Sequence, residues 1–190
     1  MSDFKIIFVH GYTASSDADW YPSIKPELDK LNIDYVIPNL PGNKKPKSDE
    51  WIEIIHKEVQ ATSKPIVFVG HSLGTRAVLL YLDKHPIKVR AVFLVAPLSN
   101  DTSNSKRRGG ETYPSFFEHK IDLSKIKPLS DSWTIMHSKD DSSLEYNQHG
   151  VALSKEMGIK LNTYQDKNHF CKPENAQYVL KELREELKFN

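Results

Sequence analysis

The chain has 190 residues, 38% hydrophobic and 27% charged, with 26 Lys+Arg against 25 Asp+Glu. A chain of this length forms one domain, residues 1–190, that buries about 70% of its unfolded surface, which excludes a largely disordered protein. A net charge of +1 argues against a nucleic-acid binder, which carries a basic excess, and the single cysteine, Cys171, excludes an internal disulfide framework and a cysteine-rich zinc site.

In chain order, Phe4–His10 reads as a buried strand. Its apolar run, Ile6–Val9, is shorter than the roughly 7–15 residues of a signal-peptide core, so the expected compartment is the cytoplasm. The longest apolar stretch, Ala91–Leu98, contains Pro97 and falls well short of the about 20 residues of a membrane span, so no membrane association is expected. Asp19–Leu31 places Trp20, Ile24, Leu28 and Leu31 at helical spacing, with Pro26 inside it marking a kink or a late start. Ile33–Pro38 is a second strand. Ser48 is the candidate cap of a helix carrying Trp51, Ile52, Ile55 and Val59 on its apolar stripe. Ile66–Gly70 is a third strand, Leu73–His85 a helix halted by Pro86, and Ala91–Ala96 a fourth strand. Trp133–His137 is a fifth strand, Leu144–Met157 a helix containing Gly150, Lys160–Tyr164 a sixth strand, and Pro173 opens a last helix to about Phe189.

Short β-branched runs alternating with helix-length segments predict an α/β fold with a mostly parallel sheet of about six strands, covered by helices on both faces. Functional sites in such folds lie at the carboxyl ends of the strands.

At the end of the third strand stands Gly70-His71-Ser72-Leu73-Gly74, a G-x-S-x-G pentapeptide. Residue frequencies predict about 0.03 such pentapeptides by chance, and the strand-to-helix context narrows that further. In this arrangement the serine sits on a sharp, strained turn, and side chains at the two flanking glycines would clash. The turn also aims the Leu73 N–H, at a helix N-terminus, toward an oxyanion formed on a carbonyl attacked by Ser72.

A serine hydroxyl needs a base, and the base an orienting acid. Downstream of Ser72 stand His85, His119, His137, His149 and His169. His169 alone occupies a loop between a predicted strand and a predicted helix, from which an imidazole can lean over the sheet. The acid is expected after the fifth strand, where Asp140 and Asp141 adjoin; on residue type alone either qualifies, the other being a turn residue. After the first strand, His10-Gly11-Tyr12 supplies the Tyr12 N–H as a second oxyanion donor.

Pro97–Ser130 is the longest stretch without a sheet element, a candidate lid or insertion. Its polar part holds Lys106-Arg107-Arg108. Its aromatic part, Tyr113, Phe116 and Phe117, either lines an acyl pocket over Ser72 or fills core beneath a surface loop. Lys44-Lys45-Pro46-Lys47 reads as a solvated turn, and Cys171 as a packing or surface residue. No metal-ligand spacing is present, so neither a metal nor another cofactor is expected.

The segments FVHGYTASSDADWYPSIKPEL, VGHSLGTRAVLLYL, SKDD and NHF together resemble the small serine hydrolases of the YdeN and retinoblastoma-binding protein 9 family, within the α/β-hydrolase superfamily. The resemblance covers nearly the whole chain. It implies a shortened three-layer α/β-hydrolase fold, a Ser72-Asp141-His169 triad with the second aspartate of the pair as acid, and hydrolysis of small carboxylic esters or related acyl compounds. Family members often carry a proline a few residues after the acid; here that stretch is Ser142-Ser143-Leu144-Glu145. The Leu-x-Cys-x-Glu motif tied to retinoblastoma protein binding is absent around Cys171, so that partner is not carried over; the partner the resemblance implies is a small-molecule acyl substrate. The competing readings are a non-enzymatic interaction module on a hydrolase scaffold and acyl transfer to an acceptor other than water.

Overall fold

The structure, a computed structural model, describes residues 2–105 and 113–189. Six strands form one sheet: β1 (Lys5–Val9), β2 (Asp34–Val36), β3 (Ile66–His71), β4 (Ala91–Val95), β5 (Trp133–Ser138) and β6 (Leu161–Tyr164). Their order is β2-β1-β3-β4-β5-β6, and all five pairings are parallel.

Each parallel step needs a crossover. These are supplied by α1 (Tyr21–Lys30), α2 (Ser48–Gln60), α3 (Leu73–Lys84), α4 (Leu123–Ile126) and α5 (Ala152–Met157), and α6 (Ala176–Leu187) closes the chain. The central strands read as unbroken apolar runs because both of their faces are covered. Successive residues enter different cores: Ile7, Val9, Phe68, Val92 and Leu94 pack with α2 and α3, whereas Ile6, Phe8, Val67, Val69 and Phe93 pack with α1 and α6. Among the described residues no helix is long and apolar enough to cross a membrane.

Three local expectations differ from the structure. Ser48 is the first helical residue of α2, not its cap. Its N–H donates to Ser115 Oγ and its hydroxyl to the Ser115 carbonyl, both at 2.9 Å, so the segment after β4 satisfies this helix end. The predicted Leu144–Met157 helix begins as a π-turn over Asn147–Val151, and α5 starts only at Ala152. Pro173 opens a single 3-10 turn before α6.

The stretch between β4 and β5 is tied to α3 by Arg76, which is 1% exposed. Its guanidinium donates to the carbonyls of Phe116 (2.7 Å) and His119 (2.7 Å) and to Asn100 Oδ1 (2.6 Å). Phe116 and Phe117 belong to the core, Phe116 edge-on to Trp51. The basic run Lys106-Arg107-Arg108 lies outside the described residues.

The tightest backbone approach in the fold explains one glycine. A Cβ on Gly74 would collide with the Val9 carbonyl and lie 2.6 Å from the His10 carbonyl. These are main-chain atoms of β1 and its loop, which have nowhere to go. Gly74→Ala therefore lowers stability by about 3 kcal/mol or more. Urea unfolding checks this, and an unchanged midpoint contradicts it.

Candidate active site

The strand order reverses at β1, since β2 lies on one side of it and β3 on the other. Such a switch opens a crevice beyond the carboxyl ends of the two strands. Gly11 and Ser72 stand there. Ser72 is held at φ 53°, ψ −123°, a region sparsely populated by side-chain-bearing residues. Its N–H donates to the Val95 carbonyl at 2.9 Å, and its own carbonyl accepts from the Thr75 N–H (2.9 Å) and hydroxyl (2.6 Å). A Cβ at Gly70 would sit 2.8 Å from Thr75 Cα, and one at Gly11 would sit 3.1 Å from Ser72 Cβ. The three glycines leave only enough room for the serine to project from the turn.

The loop after β6 brings His169 to that serine. His169 Nε2 accepts from the Ser72 hydroxyl at 2.8 Å, and its Nδ1–H donates to Asp141 Oδ2 at 2.8 Å. The Asp141 side chain is fully buried, and its Oδ1 accepts from the Ser143 and Leu144 N–H groups, each at 2.8 Å. Burial opposes ionisation, but the donors from His137, His169 and the Leu144 amide outweigh it and hold the carboxyl far below its ordinary range. Asp140 faces away: it accepts from the Ser138 hydroxyl and from the Asn168 N–H at 3.2 Å. It thereby braces the loop that carries His169. The other downstream histidines stand elsewhere: His85 caps α3, His119 is exposed beside Asp83, and His149 is buried in the π-turn.

Two further imidazoles adjoin this chain, and residue type alone did not single them out. His71, inside the pentapeptide, is 1% exposed and donates from Nε2 to the His169 carbonyl at 2.8 Å. Burial disfavours its charge, but the Asp19 carboxylate, 3.6 Å from Nδ1, and Cys171 prevail and push it up to about 10. His137, on β5, donates from Nε2 to Asp141 Oδ2 and the Leu144 carbonyl, both at 3.1 Å. A buried histidine is ambiguous in sequence, because only distant residues reveal what its nitrogens meet.

Burial lowers the pKa of His169 below its ordinary 6.5, with Asp141 partly offsetting it and the neighbouring His71 adding to the lowering. The protonated imidazole cannot accept the serine proton. A reaction that uses it is therefore lost as pH falls through the folded pKa and is fully present above it. The pH dependence of kcat/KM for such a reaction should show an acid limb with its midpoint below 6.5; a midpoint above 7 contradicts this environment for His169.

Ser72 and His169 open onto a cavity of about 200 Å³, also lined by Gly11, Tyr12, Leu73, Leu98, Tyr113 and Leu144. Tyr12 and Leu73, the two expected oxyanion donors, thus share the cavity with Ser72. Leu73 is the first residue of α3, where helix N–H groups carry partial positive charge. His10, buried beside them, donates from Nδ1 to the Gly11 carbonyl (2.9 Å) and accepts the Leu40 N–H at Nε2 (2.9 Å), which fixes the loop after β1. Of the three aromatic candidates Tyr113 reaches the cavity, whereas Phe116 and Phe117 do not line it. Cys171 is exposed at its rim. A larger groove of about 870 Å³ between α1 and α6 contains no histidine. Among the described residues no group of three or more His, Cys, Asp or Glu side chains is placed to hold a metal ion.

The serine hydrolase family model matches residues 6–179. The chain is 24% identical over 172 residues to YdeN of Bacillus subtilis (strain 168), covering 90% of this chain and 87% of YdeN. The crystal structure of the B. subtilis ydeN gene product superposes with a TM-score of 0.84 at 22% identity, covering 97% of this chain and 98% of that one. Est1E from Butyrivibrio proteoclasticus, solved with ferulic acid bound, superposes with a TM-score of 0.71 at 16% identity over 97% of this chain and 89% of its own. A monoacylglycerol lipase from Paleococcus ferrophilus gives a TM-score of 0.72 at 16% identity, over 95% and 92% of the two chains. The fold is that of the α/β-hydrolases.

Proposed function

The chain belongs to the serine hydrolase family, and from that premise we propose that it hydrolyses small carboxylic esters through an acyl-enzyme on Ser72. The observation that carries this reading is the unbroken chain from Ser72 Oγ to His169 to Asp141, with 2.8 Å at each link, opening onto a cavity.

Ser72 Oγ attacks the ester carbonyl as His169 Nε2 takes its proton. Asp141 keeps the imidazole in the Nδ1–H tautomer and stabilises the imidazolium. The oxyanion is met by the Tyr12 and Leu73 N–H groups, each such donor contributing about 3–4 kcal/mol. Collapse expels the alcohol, which leaves with the proton from His169. Water then attacks the acyl-enzyme with His169 as base, releasing the acid and restoring the Ser72 hydroxyl. No step calls for a cofactor. The lone Cys171 suits the reducing cytoplasm as the place of work.

The cavity's volume of about 200 Å³, and its apolar wall of Leu98, Tyr113 and Leu144, fit a short acyl group. Across p-nitrophenyl esters, kcat/KM should be highest for acetate to butyrate and fall by about tenfold or more by octanoate, as a filled pocket rejects extra methylenes. A panel with no turnover at any length, alongside full probe reactivity at Ser72, would instead favour the non-enzymatic reading.

A further inference from the structure

Asp141 Oδ2 accepts two imidazole N–H groups, from His169 at 2.8 Å and from His137 at 3.1 Å. Both remaining acceptors around His137 Nε2, the carboxylate and the Leu144 carbonyl at 3.1 Å, demand that this nitrogen carry the proton. His137 Nδ1 is then bare, and it is buried without a hydrogen-bond partner among the described residues. A bare ring nitrogen wholly inside the protein costs free energy, so a histidine kept in this orientation calls for an explanation.

The chain around it is bent to make room. A Cβ on Gly150 would lie 2.8 Å from His137 Cβ and closer still to Nδ1, so only glycine lets the backbone pass over this ring. That glycine lies in the π-turn Asn147–Val151, where the Val151 N–H reaches back to the Tyr146 carbonyl at 3.0 Å. Insertions of this kind break helix geometry and recur at functional sites. Leu144, whose N–H and carbonyl clasp Asp141 and His137, lines the cavity from the same loop.

From this juxtaposition we infer that His137 is a positioning residue: its Nε2–H pins Asp141 Oδ2 in line with His169, and the glycine-centred π-turn seats its ring. The inference rests on the proposed role of Ser72, His169 and Asp141. His137 touches neither Ser72 nor the cavity, so it acts through the carboxylate. By sharing Oδ2, it also takes part of the carboxylate's charge away from His169, which keeps that base neutral to lower pH. The groups facing His169 are Asp141, His71 and His137, with Asp19 and Cys171 behind His71. Those facing His137 are Asp141, Tyr146 and His149, with Glu145 beside His149. His149 accepts the Ser99 N–H at Nδ1 (3.2 Å), and burial, then His137, push its pKa down to about 4, so it is neutral where the reaction runs.

The test joins kinetics with nitrogen-15 imidazole spectra of the full chain. His137→Leu removes the donor, while His137→Gln places an amide N–H where Nε2 stood. In His137→Leu, kcat should fall about tenfold to a hundredfold with KM within about twofold, as expected for a misplaced relay. The acid limb of kcat should move to higher pH, and His137→Gln should recover most of both losses. A merely structural role would not move the limb. A folded His137→Leu protein with wild-type kcat and an unmoved limb overturns the inference. Should that variant not fold, the wild-type spectrum decides: a His137 ring whose Nε2 carries the proton supports it, and an Nδ1–H tautomer with a bare Nε2 overturns it. Ser72→Ala assayed in parallel separates the two levels. If that variant keeps its turnover, the serine reading has failed, whereas a dead Ser72→Ala beside an unaffected His137→Leu condemns the His137 inference alone.

Discussion

Ser72→Ala should lower kcat for p-nitrophenyl acetate by about 10⁵- to 10⁶-fold, with KM little changed, and His169→Ala should do nearly the same. The size follows from the division of labour. In the proposed mechanism the serine oxygen forms the covalent bond, and the imidazole 2.8 Å away is the group placed to take its proton. Removing either member leaves the other without a partner for the step. The double variant should therefore lose hardly more than either single one, whereas independent contributions would multiply. The residual rate belongs to the oxyanion donors and to binding, which neither substitution touches. Steady-state kinetics on all three variants checks this, with circular dichroism confirming the fold. Two losses that multiply in the double variant, or a Ser72→Ala protein within tenfold of wild type, contradict a shared relay.

Asp141→Asn should lower kcat by about 10⁴-fold, because an amide in place of the carboxylate favours the wrong imidazole tautomer. Asp140→Asn should cost less than about tenfold, since a surface turn residue acts only through loop placement. The adjacent aspartates have the same chemistry and differ in direction. Asp141 Oδ2 lies 2.8 Å from His169 Nδ1, whereas Asp140 is engaged with the Ser138 hydroxyl and the Asn168 N–H. Equal losses in the two variants, or a larger one at Asp140, would reverse the assignment.

That pair also shows where sequence reading stops. Ser72 was legible because its turn imposes a steric pattern: Gly70 and Gly74 cannot carry a Cβ, and little else in a protein needs that spacing. His169 was legible because only one downstream histidine fell in a strand-to-helix loop. The alternation of strand and helix was legible because both sheet faces are buried, although element ends moved by a residue or two. The choice between Asp140 and Asp141 came from family resemblance, since backbone direction in a turn leaves no trace in residue type. Ser48 was misread as a cap because its partner, Ser115, is 67 residues away. The helix expected from Leu144 fails for a related reason. The Leu144 N–H is taken by Asp141, and Gly150 must pass over His137. Tertiary demands of this kind override local propensity. His71 and His137 were present in plain view, but their roles depend on atoms contributed by other loops.

The most direct test treats the protein with a fluorophosphonate, which reacts preferentially with an activated serine hydroxyl, and locates the adduct by intact mass and peptide mapping. One adduct per chain on Ser72 in the wild-type protein, with none in Ser72→Ala, is the predicted result. An adduct at any other residue, or labelling that persists in Ser72→Ala, would contradict the account.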